Sequence, residues 1–121
     1  MHRVILDTSS IVFAFSRKVD VFRCAEDQLQ ARIAVSAGVM RELRGLAAGR
    51  TKEGRSAKVA LEVMKKYRIE MDPDDRVADR WILDAGMEEG VYVCTNDIRL
   101  KRELRERGKR VLSVSENGVL R

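Results

Sequence analysis

The chain has 121 residues, 45% hydrophobic and 36% charged, with a formal net charge of +5. That balance is globular and suits one domain, residues 1–121, able to bury a core without staples. No run of about 18 apolar residues exists, so no membrane span is expected.

The elements follow in order. Residues 3–6 (RVIL) read as a first strand ending at Asp7, with Thr8, Ser9 and Ser10 opening a helix and Ser9 or Ser10 as its cap. The short apolar run after Met1, His2 and Arg3 is too brief for a signal peptide, which makes a cytoplasmic protein the expectation. Residues 20–31 read as a helix with Val21, Phe22, Ala25 and Leu29 at helical spacing, and residues 33–35 as a second strand. Ser36 caps a helix to about Ala48, with Val39, Met40, Leu43 and Leu46 inward and Glu42 beside that stripe. Residues 49–56, flanked by glycines, read as a mobile basic loop. Residues 57–67 form the next helix, with Val59, Ala60, Val63 and Met64 on its apolar face, and residues 68–71 a weak third strand.

Asp74 or Asp75 caps the following helix, which extends to about Glu89 and buries Val77, Trp81, Ile82 and Ala85; Gly90 ends it. Residues 91–94 (VYVC) form a strand buried on both faces. Thr95, Asn96 and Asp97 follow it, and then a basic helix with Ile98, Leu100 and Leu104 inward runs to Gly108. Residues 109–114 form a last strand and residues 115–121 a tail. This alternation implies a parallel sheet covered by helices on both faces, in an order that alternation alone does not give.

Charge is segregated. Residues 41–68 carry a net +6 and residues 99–110 a net +5, on either side of residues 69–98 at −7. Solvated helix faces would account for this, and so would a polyanion gripped around a carboxylate site that needs cations. Cys24 and Cys94 form no CxxC pair or Cys/His cluster, so two reduced thiols are expected rather than a disulfide or a zinc site. His2, the only histidine, lies at a terminus, which argues against a histidine base.

Two acids, Asp7 and Asp97, stand where strands end, and Glu42 and Asp79 lie on helices. Each has an ordinary reading: Asp7 and Asp97 as caps or turn formers, Glu42 as a surface acid, Asp79 as a complement to its helix dipole. Together, ILDTSSIV (Asp7), VSAGVMRELRGL (Glu42), ADRWILDAG (Asp79) and VCTNDIRLKRELRERG (Thr95, Asn96, Asp97) resemble the PIN-domain ribonucleases, which include VapC-like toxins and rRNA-processing nucleases. The resemblance covers nearly the whole chain. Ser36-Ala37-Gly38 departs from it, standing where the family often has a proline and a bulkier turn.

The resemblance implies a single α/β PIN-like domain with a central parallel sheet of four to five strands, the first and fourth adjacent. It also implies a divalent-metal-dependent endoribonuclease acting on single-stranded RNA. Asp7, Glu42, Asp79 and Asp97 would form the catalytic, Mg²⁺- or Mn²⁺-binding cluster, since hard oxygen ligands suit those ions. Ser9, Thr95 and Asn96 would support them by hydrogen bonding. Arg50, Lys52 and Arg55, with Arg99, Lys101 and Arg102, are the candidate RNA contacts. Asp84 reads as a surface acid and Trp81 as core. The implied partners are RNA, an antitoxin protein or a ribosomal precursor, and a second copy of the chain. A non-catalytic RNA-binding module of the same fold in ribosome assembly is the alternative, and it predicts loss of acids that are in fact present. A receiver-like phosphate acceptor needs paired acids by the first strand and a late lysine, which this sequence lacks.

Overall fold

Two short apolar runs, bounded by polar residues, lie side by side at the centre of the sheet. β1 (Arg3–Leu6) and β4 (Val91–Cys94) pair in parallel, with Ile5 opposite Val93 and Leu6 opposite Cys94. Both strands are buried because sheet neighbours and helices cover them, so they read as continuous apolar runs rather than alternating ones. In this computed structural model, which describes residues 2–118 and 120–121, three further strands complete the sheet. They are β2 (Arg32–Ser36), β3 (Ile69–Asp72) and β5 (Val111–Leu112), and the sheet order is β3-β2-β1-β4-β5, all parallel.

Six helices connect the described strands: α1 (Thr8–Ser16), α2 (Val21–Leu29), α3 (Ala37–Ala47), α4 (Lys52–Met64), α5 (Ala78–Ala85) and α6 (Ile98–Glu106). The path moves outward from β1 to β2 to β3, then back past β1 to β4 and β5. Right-handed crossovers therefore put α1–α4 on one face and α5 and α6 on the other. The order reverses between β1 and β4, and the crevice beyond their carboxyl ends is where open α/β sheets bind ligands.

The core gathers Ile5, Leu6, Ile11, Phe22, Val35, Leu43, Trp81, Ile82, Val93 and Leu104, all at most 1% exposed. Trp81 is core, its indole N–H satisfied by Asp72 Oδ2 at 3.1 Å. Asp84 pairs with Arg76 at 2.8 Å at the surface. Both cysteines are free thiols. No helix is long and apolar enough to cross a membrane among the described residues.

Several boundaries differ from expectation, each for a packing reason. Residues 49–56 are not a mobile loop. Thr51 accepts a hydrogen bond from Gly54 N–H at 3.0 Å and caps α4, so Lys52 and Arg55 lie on a helix. Gly54 is there for close approach: a Cβ would fall 2.5 Å from the Leu46 carbonyl oxygen. Val59, Val77 and Ile98, expected inward, are 52%, 55% and 71% exposed. α5 starts at Ala78, not after Asp74 or Asp75, and ends at Ala85, well before Gly90. The segment expected as a plain tail folds back, Ser113 N–H donating to the Arg121 carbonyl at 2.7 Å and Arg121 N–H to that of Ser113 at 3.0 Å. Of that segment, Val119 lies outside the described residues.

Gly38, in the first turn of α3, sets how closely that helix meets the chain before α5. Its N–H donates to the Asp74 carbonyl at 3.1 Å, and a Cβ would lie 1.8 Å from the Arg76 carbonyl oxygen. That contact is with backbone, which cannot swing aside as a side chain could. Gly38→Ala is therefore expected to lower stability by about 1–3 kcal/mol, the usual overpacking range, read as a fall in Tm. An unchanged Tm would show that the segment yields freely.

Candidate active site

The site starts from the central pairing. With Leu6 opposite Cys94, the next residues, Asp7 and Thr95, emerge side by side at the carboxyl edge of the sheet. Asp7 N–H donates to the Cys94 carbonyl at 3.4 Å, continuing the ladder one step. The Asp7 carboxylate, only 4% exposed, collects a ring of donors. Ser10 N–H reaches Oδ1 at 2.9 Å, Ser9 Oγ reaches both oxygens at 3.0 and 2.9 Å, and the Thr95 hydroxyl donates to Oδ2. Asp7, not Ser9 or Ser10, is thus the cap of α1. Ser9 is free to bridge, with its Oγ 3.2 Å from Thr95 Oγ1 and accepting from Asn96 N–H at 3.1 Å.

Thr95 and Asn96 lock the other side. Thr95 Oγ1 accepts from Asp97 N–H at 3.1 Å. Asn96 pairs with the Val114 backbone both ways, donating from Nδ2 at 3.0 Å and accepting at Oδ1 from Val114 N–H at 2.9 Å. Asp97 Oδ1 caps α6, accepting from Arg99 and Leu100 N–H at 3.0 and 3.2 Å. The two readings open for Asp97 are compatible: it caps a helix and also lines the cleft.

Glu42 arrives from α3 with both oxygens engaged. The Thr8 hydroxyl donates to Oε1, and Ala78 N–H donates to Oε2 at 3.0 Å. α5 has no cap from its own sequence, so Glu42, thirty-six positions upstream, serves its first N–H. This puts Asp79 in the first turn of α5 at the same cleft. Asp79 is exposed and its carboxylate makes no hydrogen bond or ion pair among the described residues.

Asp7, Glu42, Asp79 and Asp97, with Thr8, Ser9, Val77 and Ala78, line one cleft of about 370 Å³. None of the four acids forms a salt bridge with Lys, Arg or His among the described residues. Nor, among those residues, do any three His, Cys, Asp or Glu side chains gather tightly enough to hold a metal as they stand, so the acids share a cleft rather than a point. Burial pushes the Asp7 carboxyl above the usual aspartate range, and the hydrogen bonds from Thr95, Ser10 and Ser9 only partly offset this. The Cys94 thiol, buried and next to the Asp7 charge, is pushed up to about 12. An uncompensated set of hard oxygen donors is the chemistry that Mg²⁺ or Mn²⁺ suits. His2 sits far from the cleft, at the other end of β1 and β4, edge-on to Tyr92.

The basic candidates divide. Lys52 and Arg55 line a separate cleft of about 560 Å³ with Phe15, Lys18 and Val59, and Arg50 is exposed in the turn before α4. Lys101 is half-buried and donates one hydrogen bond to Ser113 Oγ at 2.9 Å. Arg102 lines a groove on α6, and Arg99 is exposed on that helix. Sequence reasoning missed Thr8, whose role depends on a helix distant in sequence, and Arg105, which lies seven residues beyond Ile98 on the same helix face and lines the α6 groove.

A family model described as "PIN like domain" matches residues 4–117. Ribonuclease VapC9 of Archaeoglobus fulgidus is 29% identical over 105 residues, spanning 86% of this chain and 76% of that protein. Ribonuclease VapC4 of Methanocaldococcus jannaschii is 29% identical over 122 residues, spanning 96% of this chain and 92% of that protein. The solved structure of the PIN domain endonuclease Utp24 superposes with a TM-score of 0.77 at 32% identity, covering 98% of this chain and 89% of the other.

The raised Asp7 carboxyl has a defined sign. A folded-state value above the ordinary 3.8 means the folded chain holds this proton more tightly than the unfolded chain. This residue's contribution to stability therefore grows as pH falls from the folded value toward 3.8, and is lost as pH rises through the folded value. Melting in EDTA across that acid window should show wild type gaining on Asp7→Asn as pH falls. Parallel profiles would contradict an elevated Asp7.

Proposed function

The chain belongs to the PIN-like domain family, and from that premise we propose that it is a Mg²⁺- or Mn²⁺-dependent endoribonuclease that cuts single-stranded RNA. The observation that carries this reading is the single cleft lined by Asp7, Glu42, Asp79 and Asp97, with no basic partner for any of them among the described residues. The ribonuclease and endonuclease relatives support it.

In this reading Asp7, Asp79 and Asp97 would hold the ion, with Glu42 acting directly or through water. The chemistry it would supply is positive charge at the scissile phosphodiester and a more acidic attacking water. The chain's own residues do the positioning. Thr95, Ser9 and Ser10 fix both oxygens of Asp7, so it cannot rotate away from the cleft. Thr8 and the first N–H of α5 fix Glu42. Asp97 uses one oxygen for its cap, leaving Oδ2 for the cleft. Asp79, exposed and unengaged, is the acid freest to adjust to a ligand. Such hydrolysis needs no histidine.

Two biological settings suit this activity: a VapC-like toxin restrained by an antitoxin, and a nuclease acting on ribosomal precursors. A neighbouring small gene encoding a DNA-binding protein would favour the first. A module that only binds RNA would keep the fold without cleavage.

Asp79→Asn and Asp97→Asn are expected to abolish Mn²⁺-dependent cleavage of single-stranded RNA while the chain stays folded. Thr95→Val, which removes support rather than a ligand, is expected to lose about 10–100-fold. Gel-based cleavage with circular dichroism as the folding control checks both. Full activity in either aspartate variant would refute the assignment.

A further inference from the structure

α6 presents a face that neither the core nor the acid cleft accounts for. Its buried side uses Leu100 and Leu104. Ile98, Lys101, Arg102 and Arg105 follow at i, i+3, i+4 and i+7, which puts them on one other face. They line a groove of about 460 Å³, with Glu106 at its far end. The groove starts beside the acid cleft, because Ile98 directly follows the cleft-lining Asp97.

Two features of this face call for a ligand. Ile98 is the most exposed large hydrophobic side chain among the described residues, at 71%. Neither capping nor packing explains it, since Asp97 supplies the cap and Leu100 and Leu104 the buried side. The guanidiniums of Arg102 and Arg105 have no ion-pair or hydrogen-bond partner among the described residues. On the same helix, by contrast, Arg107 pairs with Glu103 at 3.1 Å. Two unpaired guanidiniums beside an exposed aliphatic side chain complement a chain with both phosphates and apolar base faces.

We infer that the α6 groove is a subsite for the RNA strand adjoining the cut, with an unpaired base against Ile98 and phosphates on Arg102 and Arg105. This rests on the nuclease reading and adds the cause of strand selectivity. A duplex keeps its base faces stacked and offers Ile98 nothing, while it still offers phosphates to the arginines.

The test is binding without cleavage. Fluorescence anisotropy in EDTA would follow a short fluorescein-labelled single-stranded RNA and the same RNA annealed to its complement. Ile98→Ser should weaken single-strand affinity by about 3–10-fold, around the low end for base stacking on an aromatic platform, and leave duplex affinity unchanged. Arg102→Gln with Arg105→Gln should weaken both and lower the salt slope by about 1–1.5. Melting curves should match wild type, since these side chains are exposed. Equal loss for both RNAs in Ile98→Ser, no loss in it, or an unchanged salt slope in the double variant would overturn the subsite. Wild type with Mn²⁺ on the same RNA is scored separately: failure to cleave would remove the nuclease reading while the anisotropy result still decides the groove.

Discussion

The parallel pairing of β1 with β4 is the constraint on which the site depends. Its register sets Leu6 opposite Cys94, so Asp7 and Thr95 leave the sheet as neighbours although 88 positions separate them. Everything else at the cleft is attached to that pair. α1 starts on Asp7, α6 starts on Asp97 two residues after Thr95, and Ser9 ties the two starts together. A slip of one residue would separate Asp7 from Thr95 and from the donors gathered there.

The pairing also carries a cost. Asp7 is buried with hydroxyl and amide donors but without a cation, and desolvation disfavours its charged form. Around it stand three more acids with no basic partner among the described residues. Bringing like charges to one cleft opposes folding, and helix capping offsets part of that. Asp7, Asp97 and Glu42 each serve the N-terminus of a helix, where backbone N–H groups and the macrodipole favour a negative charge. Three helix starts therefore assemble the acids without neutralising them, which is a state suited to a divalent ion.

Much of this was legible in the sequence because some of the signals are local. β1 and β4 lie where apolar runs bounded by polar residues place them, and Ser36 caps α3 as its position suggests. The strand order was not legible from alternation; the resemblance to a known family implied only that the first and fourth strands are adjacent, and the full order comes from the structure. Long-range capping was invisible: Asp74 and Asp75 suggest too early a start for α5, whereas its first N–H is served by Glu42 from α3. Glycine misled at residues 49–56, because Gly54 serves close packing rather than freedom. Ile98 shows that apolar character alone does not imply burial. The α6 stripe runs through Leu100 and Leu104, and Ile98 stands off that line, exposed at the start of the helix.

The central claim is that the acids around Asp7 form one binding centre for a divalent ion. Calorimetric titration of Mn²⁺ into wild type and into Asp7→Asn at neutral pH tests it most directly, with melting curves to confirm folding. The account predicts saturable binding to wild type and loss of at least about tenfold in affinity in the variant, the lower end seen when support of a metal site is removed. Equal Mn²⁺ affinity in the two proteins would contradict it.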